Sequence, residues 1–184
     1  MRTTTIGSER AVLTSCPEPA HIAPMGTDTT AANIQGAGSS EVLCQVRSLL
    51  RSQRLGVLGT RFEDAPHQSL VAFVASEDLR EIYFASPAQT RKAEALHKDA
   101  RVALLVDNRK NLENDFDASI AVTAKGSAEM LSPNEALAVV PLYVKRHPSL
   151  KDFAASPSCR FYAIRVRSYS LVSRFQHVEE VLLG

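Results

Sequence analysis

Cysteine is scarce in this chain, and neither sign of charge is in excess. Three cysteines, Cys16, Cys44 and Cys159, are scattered and never spaced Cys-x-x-Cys, which excludes a disulfide framework. Reduced thiols in a cytoplasm fit that pattern. The five histidines (His21, His67, His97, His147 and His177) form no His-x-x-x-His or His/Cys cluster, so no metal site is expected. No apolar run is long enough to span a membrane. The opening Met1-Arg2-Thr3-Thr4-Thr5 lacks the apolar core of a secretory signal, and a cytoplasmic location is expected. Twenty-one Lys and Arg against twenty Asp and Glu give a formal net charge of +1. That balance argues against a dedicated nucleic-acid binder. It leaves Arg47, Arg51, Arg54 and the Arg109-Lys110 pair as solubilising cations.

What is present suits one domain with an extra segment. The chain has 184 residues, 45% hydrophobic and 22% charged, enough to bury a core without disulfide or metal. Residues 1–38 are rich in Thr, Ser, Ala, Gly and Pro and lack apolar periodicity, which predicts a flexible arm. The domain is expected over residues 39–184. Val42, Leu43, Val46, Leu49 and Leu50 recur at helical spacing. Leu55–Thr60 then reads as a strand, Glu63–His67 as a turn, and Gln68–Ser76 and Arg80–Ala85 as strands joined at Glu77-Asp78. Strands follow at Arg101–Val106 and Ser119–Leu131, separated by a polar loop at Asp107–Asp117, with Gly126 marking a bend or bulge. Ser132-Pro133-Asn134-Glu135 is a capping box for a second helix, whose stripe is Leu137, Val140 and Val144 and which Pro141 is expected to kink. A short helical piece at Leu150–Ala155 and two or three strands from Arg160 onward complete the pattern, the last near Val178–Leu182. Short connections favour an antiparallel sheet, which hides its edges best by closing into a barrel.

The segment Ser86-Pro87-Ala88-Gln89-Thr90-Arg91-Lys92 follows the apolar run Ile82–Ala85. It reads as a strand end followed by a helix start, with Ser86 as N-cap, Pro87 in the first helical position and Gln89 completing a capping box. The helix is expected from Pro87 to about His97. Free N–H groups and the helix dipole favour a phosphate there. Thr90 adds a hydroxyl, Arg91 a guanidinium fork and Lys92 an ammonium. The competing reading is a capped surface helix with two solvated cations.

In order and spacing these segments resemble the flavin-mononucleotide-binding split barrels related to pyridoxamine 5′-phosphate oxidase, over roughly residues 40–184. Leu55–Thr60 resembles the opening strand and Pro66–Phe73 the strand along which the flavin lies. Phe84-Ala85-Ser86 with Thr90-Arg91-Lys92 resembles the phosphate element. Asp99–Arg109 resembles the following strand, and Tyr169–Phe175 the final barrel strand. The resemblance implies a mainly β fold with flanking helices, an antiparallel split β-barrel of the FMN-binding type. It implies a homodimer with flavin at the subunit interface. Ser69, Leu70 and Val71 would offer backbone groups to the flavin ring. Phe84, Ala85 and Ser86 would border the flavin, and Thr90, Arg91 and Lys92 would hold its phosphate.

The match to the oxidase itself breaks down at several positions. Ser69 stands at the flavin-strand arginine and Val74 at the following lysine. Ala121 falls near the flavin-facing glutamine, and Ser173-Arg174-Phe175 replaces the C-terminal Arg-x-His substrate motif. A substrate phosphate would lose its cationic partners. The similarity is therefore to the flavin reductase-like and haem-utilisation-like branches. The implied function is an FMN-dependent oxidoreductase with an unassigned substrate. His67 and Arg174 are the candidates near the ring, and no acid/base residue stands out. The alternatives are a deazaflavin-dependent reductase, or a non-catalytic flavin- or haem-binding protein in which His147 or His177 ligates iron.

Overall fold

The computed structural model describes residues 32–33, 37–174 and 177–183. Most of the expected arm lies outside the described residues. A two-residue strand β1 (Ala32–Asn33) precedes helix α1 (Ala37–Ser52). Strands β2 (Leu55–Phe62), β3 (Ala65–Ala75) and β4 (Glu81–Pro87) follow, then helix α2 (Arg91–Lys98) and strand β5 (Arg101–Asp107). A short α3 (Asp115–Ala118) precedes β6 (Ala121–Met130), and α4 (Pro133–Arg146) leads into a 3-10 turn and α5 (Lys151–Ala155). The chain closes with β7 (Cys159–Ser173) and β8 (His177–Leu182).

Six strands form a closed ring in the order β7-β4-β3-β2-β5-β6, because β6 returns to pair with β7. Every pairing within the ring is antiparallel. The expected split barrel with flanking helices is thus the observed architecture. Closure follows from β7, which is long enough to serve three neighbours. Its first half pairs with β4, its second half with β8, and its opposite edge with β6 throughout. β1 adds to β8 in parallel.

Alternation directs the core. Leu58, Phe73, Ile82, Phe84, Leu104, Val122 and Ile164 are fully buried inside the ring. Helix α1 covers this interior with Val42, Val46, Leu49 and Leu50, the stripe expected from the sequence. The outer face of β3, β4 and β7 carries a second cluster with α4 and α5, built on Ala85, Val139, Tyr143, Ala154, Cys159 and Phe161. The phase of α4 differs from the expected stripe. Leu137 is 71% exposed, and Val139 and Tyr143 are the buried positions. Aromatic packing sets that phase: Tyr143 meets Phe161 edge-on at 5.3 Å and His147 at 4.9 Å. The helix runs through Pro141 to Arg146.

One other expectation changes. The turn after β2 is confined to Glu63-Asp64, and Pro66 and His67 already pair with Arg61 and Thr60. The two or three strands expected from Arg160 onward are two, β8 and the unbroken β7. The inward residues of β7 change parity, from Tyr162, Ile164 and Val166 to Tyr169 and Leu171, because a bulge intervenes. Lys125 opposes Ser168 while Gly126 opposes Val166, leaving Arg167 as the extra residue. Gly126 lies opposite that bulge. A Cβ there would stand 2.0 Å from the Arg165 carbonyl oxygen.

Gly126→Ala should therefore push β6 away from β7 at the seam that closes the ring. The expected loss is about 1–3 kcal/mol, by the general cost of overpacking. Urea unfolding should show a lower midpoint with an unchanged slope. An unchanged midpoint would contradict the contact.

Candidate functional site

The ring is split on one side. β3 and β4 pair only at Phe73↔Phe84, Val74↔Tyr83 and Ala75↔Ile82. Beyond Phe73, β3 continues back to Ala65 with β2 as its neighbour, while β4 continues to Pro87 against β7. Among the described residues no strand covers the edge of β3 from Pro66 to Ala72. The register with β2 is continuous there. His67 accepts from Thr60 Oγ1 through its carbonyl at 3.4 Å, and Phe73 N donates to Arg54 O at 3.4 Å. Odd-numbered residues thus direct their backbone groups toward β2. Strand alternation then turns the N–H and C=O of Gln68, Leu70 and Ala72 to the uncovered edge. Of the three expected ring contacts, Leu70 presents its backbone outward and Ser69 and Val71 do not. The Leu70 side chain is 65% exposed. Ser69 pairs with Leu58, faces the interior, and has a buried Oγ with no hydrogen-bond partner among the described residues.

Across the split, Ala85 and Ser86 are buried and pair with Phe161 and Arg160. This pairing carries β4 through Pro87, so Ser86 is not the helix N-cap. The helix starts at Arg91, and Thr90 caps it by accepting from Ala93 N at 3.2 Å. Gln89 lies before the helix and completes no capping box. The Thr90 hydroxyl also lies 3.2 Å from Pro87 O and 3.2 Å from Ser86 Oγ, so it is occupied in shaping the turn. Glu94 N donates to Thr90 O. The N–H groups of Arg91 and Lys92 are left, among the described residues, without a partner.

The two cations differ. Arg91 is exposed, and among the described residues its guanidinium meets no carboxylate. Lys92 is half-buried, with Nζ 5.8 Å from the centre of the Phe84 ring. Phe84 in turn stacks on Tyr162 at 5.1 Å and 9°. Burial lowers the Lys92 pKa from its usual value. A groove of about 820 Å³ runs beside this turn. Thr90, Arg91 and His97 line one side, and Ala128, Met130, Arg160 and Tyr162 the other. The sequence reading missed Arg160, Tyr162 and Met130. Tyr162 was detectable as an inward position of β7, but Arg160 enters only through its register opposite Ser86.

His147 is neither an exposed residue nor a ready ligand. It is 4% exposed, and its Nε2 lies 2.8 Å from Phe73 O. Burial is the chief cause of its lowered pKa, with the charges of Arg146 and Arg54 adding to it. His177 is exposed, with Nε2 3.5 Å from Glu179. His67 is half-buried on β3, and Arg174 is exposed at a left-handed turn with φ 44°. Arg47 and Arg51 are engaged by the carbonyl and carboxylate of Glu77, and Arg54 by the Arg146 carbonyl.

The split ring and the strand-to-helix turn beside it find their counterpart in sequence comparison. Residues 44–173 match the family described as pyridoxamine 5'-phosphate oxidase. The chain belongs to that family. Solved structures share the fold at low identity. A heme-binding protein from Mycobacterium smegmatis superposes with a TM-score of 0.68 at 17% identity, over 81% of this chain and 59% of that one. General stress protein 26 from Bacillus anthracis gives 0.59 at 18%, over 72% and 94%. A FAD-binding protein from Mesorhizobium loti gives 0.56 at 18%, over 70% and 90%. At such identities the likeness concerns the fold alone. No curated protein matches the chain in sequence. Among the described residues, no helix is long and apolar enough to cross a membrane.

The burial of His147 yields a pH dependence, which its hydrogen bond to Phe73 O opposes only in part. Its folded pKa lies below the usual 6.5, so the unfolded chain binds the proton more readily. The stability it contributes is present above pH 6.5 and is lost as pH falls through the folded pKa. Denaturant midpoints measured from pH 8 to pH 5 should decline in that window. His147→Asn, which does not titrate, should flatten the decline. Parallel curves for both proteins would remove the assignment.

Proposed function

We propose that the chain is a flavin-binding oxidoreductase whose cofactor lies along the uncovered edge of β3 with its phosphate at the first turn of α2. The carrying observation is the coincidence of unmet polar groups around the split. Leu70 offers backbone groups on an edge that no described strand covers. Ser69 Oγ is buried without a partner among the described residues. Arg91 and Lys92 lie together at α2 without a carboxylate among the described residues, next to two free N–H groups. A flavin mononucleotide brings what these groups lack: a polar ring edge, a hydroxylated chain and a dianionic phosphate. When bound, the flavin supplies hydride or electron transfer. The protein's part is to bind and orient it and to shield one face of the site with apolar side chains.

The substrate is not pyridoxamine phosphate on this reading, because Ser69 and Val74 stand where the oxidase carries cations and Ser173-Arg174-Phe175 lacks its Arg-x-His motif. The exposed Leu70 next to the split favours a homodimer in which a second copy covers the site. The relatives' names are compatible with flavin and with haem. The engagement of His147 by Phe73 O favours flavin over iron ligation by that residue.

Arg91→Ala should weaken FMN binding about tenfold to a hundredfold, the worth of one charge-assisted hydrogen bond, and leave riboflavin binding unchanged. Lys92→Ala should act in the same direction less strongly, since an ammonium lacks the fork. Fluorescence titration with both ligands makes the measurement. Equal losses for both would detach Arg91 from the phosphate, and no binding of either by the parent protein would end the flavin reading. Sedimentation with flavin bound should show a dimer at micromolar concentration. A flavin-loaded monomer would exclude the shared site.

A further inference from the structure

The groove beside α2 extends beyond what a single phosphate occupies. Its volume of about 820 Å³ is that of a small-molecule site. Its charges are arranged unevenly. Two carboxylates line it: Glu94 pairs with Lys98 at 2.7 Å, and Glu129 lies 3.9 Å from Arg165, whose guanidinium is also paired with Glu81. Two arginines line it, and among the described residues neither meets a carboxylate. Arg91 stands on α2. Arg160 stands across the groove on β7, level with Ser86 of β4.

Arg160 is also held in place. Its Nη1 donates to Pro157 O at 2.7 Å and to Cys159 O at 2.9 Å, which leaves Nη2 and Nε available. The loop that holds it is tied to the α2 turn, since Ala88 N donates to Ser158 O at 2.8 Å. The two guanidinium groups thus belong to one wall-to-wall arrangement. On the same side as Arg160, Met130 is 59% exposed over its strand partner Tyr162, and with Leu96 and Ala128 it gives the groove an apolar surface.

We propose that this groove is a second anionic subsite, which takes the distal phosphate and the adenosine of a flavin dinucleotide. Arg91 meets the flavin's own phosphate, Arg160 the phosphate beyond it, and the purine lies on Met130. The native ligand is accordingly FAD rather than FMN. This rests on the flavin reading above and adds the ligand class.

The test is a titration of the full chain with FMN and FAD. FAD should bind the parent protein about tenfold or more tightly than FMN, one added charge-assisted contact. Arg160→Ala should remove most of that advantage and leave the FMN affinity unchanged. Met130→Glu, at an exposed position, should do the same by placing a carboxylate beside the adenosine phosphate. A thermal melt of each variant shows that the fold is retained. Equal affinities of the parent for FMN and FAD would overturn the subsite while leaving the flavin reading intact. So would an Arg160→Ala loss equal for both ligands. Binding of neither flavin would end both readings.

Discussion

The site depends on where the sheet parts, at Phe73. Its side chain is fully buried, and both of its backbone groups are used away from β4. The N–H goes to Arg54 O and the carbonyl to His147. β4 pairs as far as Phe84 and then follows β7 instead. An unpaired strand edge is usually blunted or covered. Here the ring stays closed through β7 while β3 keeps an edge available.

The parting point is held by two helices that cap each other. Arg146, the last residue of α4, donates to the carbonyls of Leu50, Arg51 and Gln53 at the end of α1. Arg54, just past α1, donates to the Arg146 carbonyl at 2.8 Å. Each guanidinium thus satisfies carbonyls at a helix end, where positive charge is favoured. The same two residues flank Phe73: Arg54 through its own carbonyl, Arg146 through the adjacent His147. Arg54, which the sequence offers as a solvated cation, and Arg146 instead tie the inner helix to the outer one.

Much of this was legible before the structure. The α1 stripe, the hairpin at Glu77-Asp78, the bulge at Gly126 and the Ser132–Glu135 capping box all follow from local rules. The errors share a cause. Ser86 looks like an N-cap by composition, yet Arg160, some seventy residues on, pairs with it and keeps it in a strand. Leu137 looks like core by hydrophobicity, yet Tyr143 and His147 phase α4 through contacts with Phe161 and Phe73. The bulge in the last barrel strand shifts its parity, and only its partner β6 reveals the continuity. Local propensity identified the elements; pairings distant in sequence decided their limits.

Lys92 shows how far stability alone explains this region. Its ammonium is half-buried, and the Phe84 ring is its described partner. Desolvation disfavours its charged form, as the lowered pKa records. A cation over an aromatic face recovers about 0.5–2 kcal/mol, and an apolar side chain would avoid the desolvation altogether. Lys98 makes the contrast: its Nζ lies 5.9 Å from the Phe62 ring and also pairs with Glu94. On the proposed flavin reading, the half-buried Lys92, which meets no carboxylate among the described residues, awaits an anion that arrives from outside. An arriving dianion would raise the Lys92 pKa again, because opposite charge favours the protonated form. The same anion would use the free N–H groups of Arg91 and Lys92. On that reading, the features of this turn that folding leaves unsatisfied among the described residues are the ones a phosphate would complete.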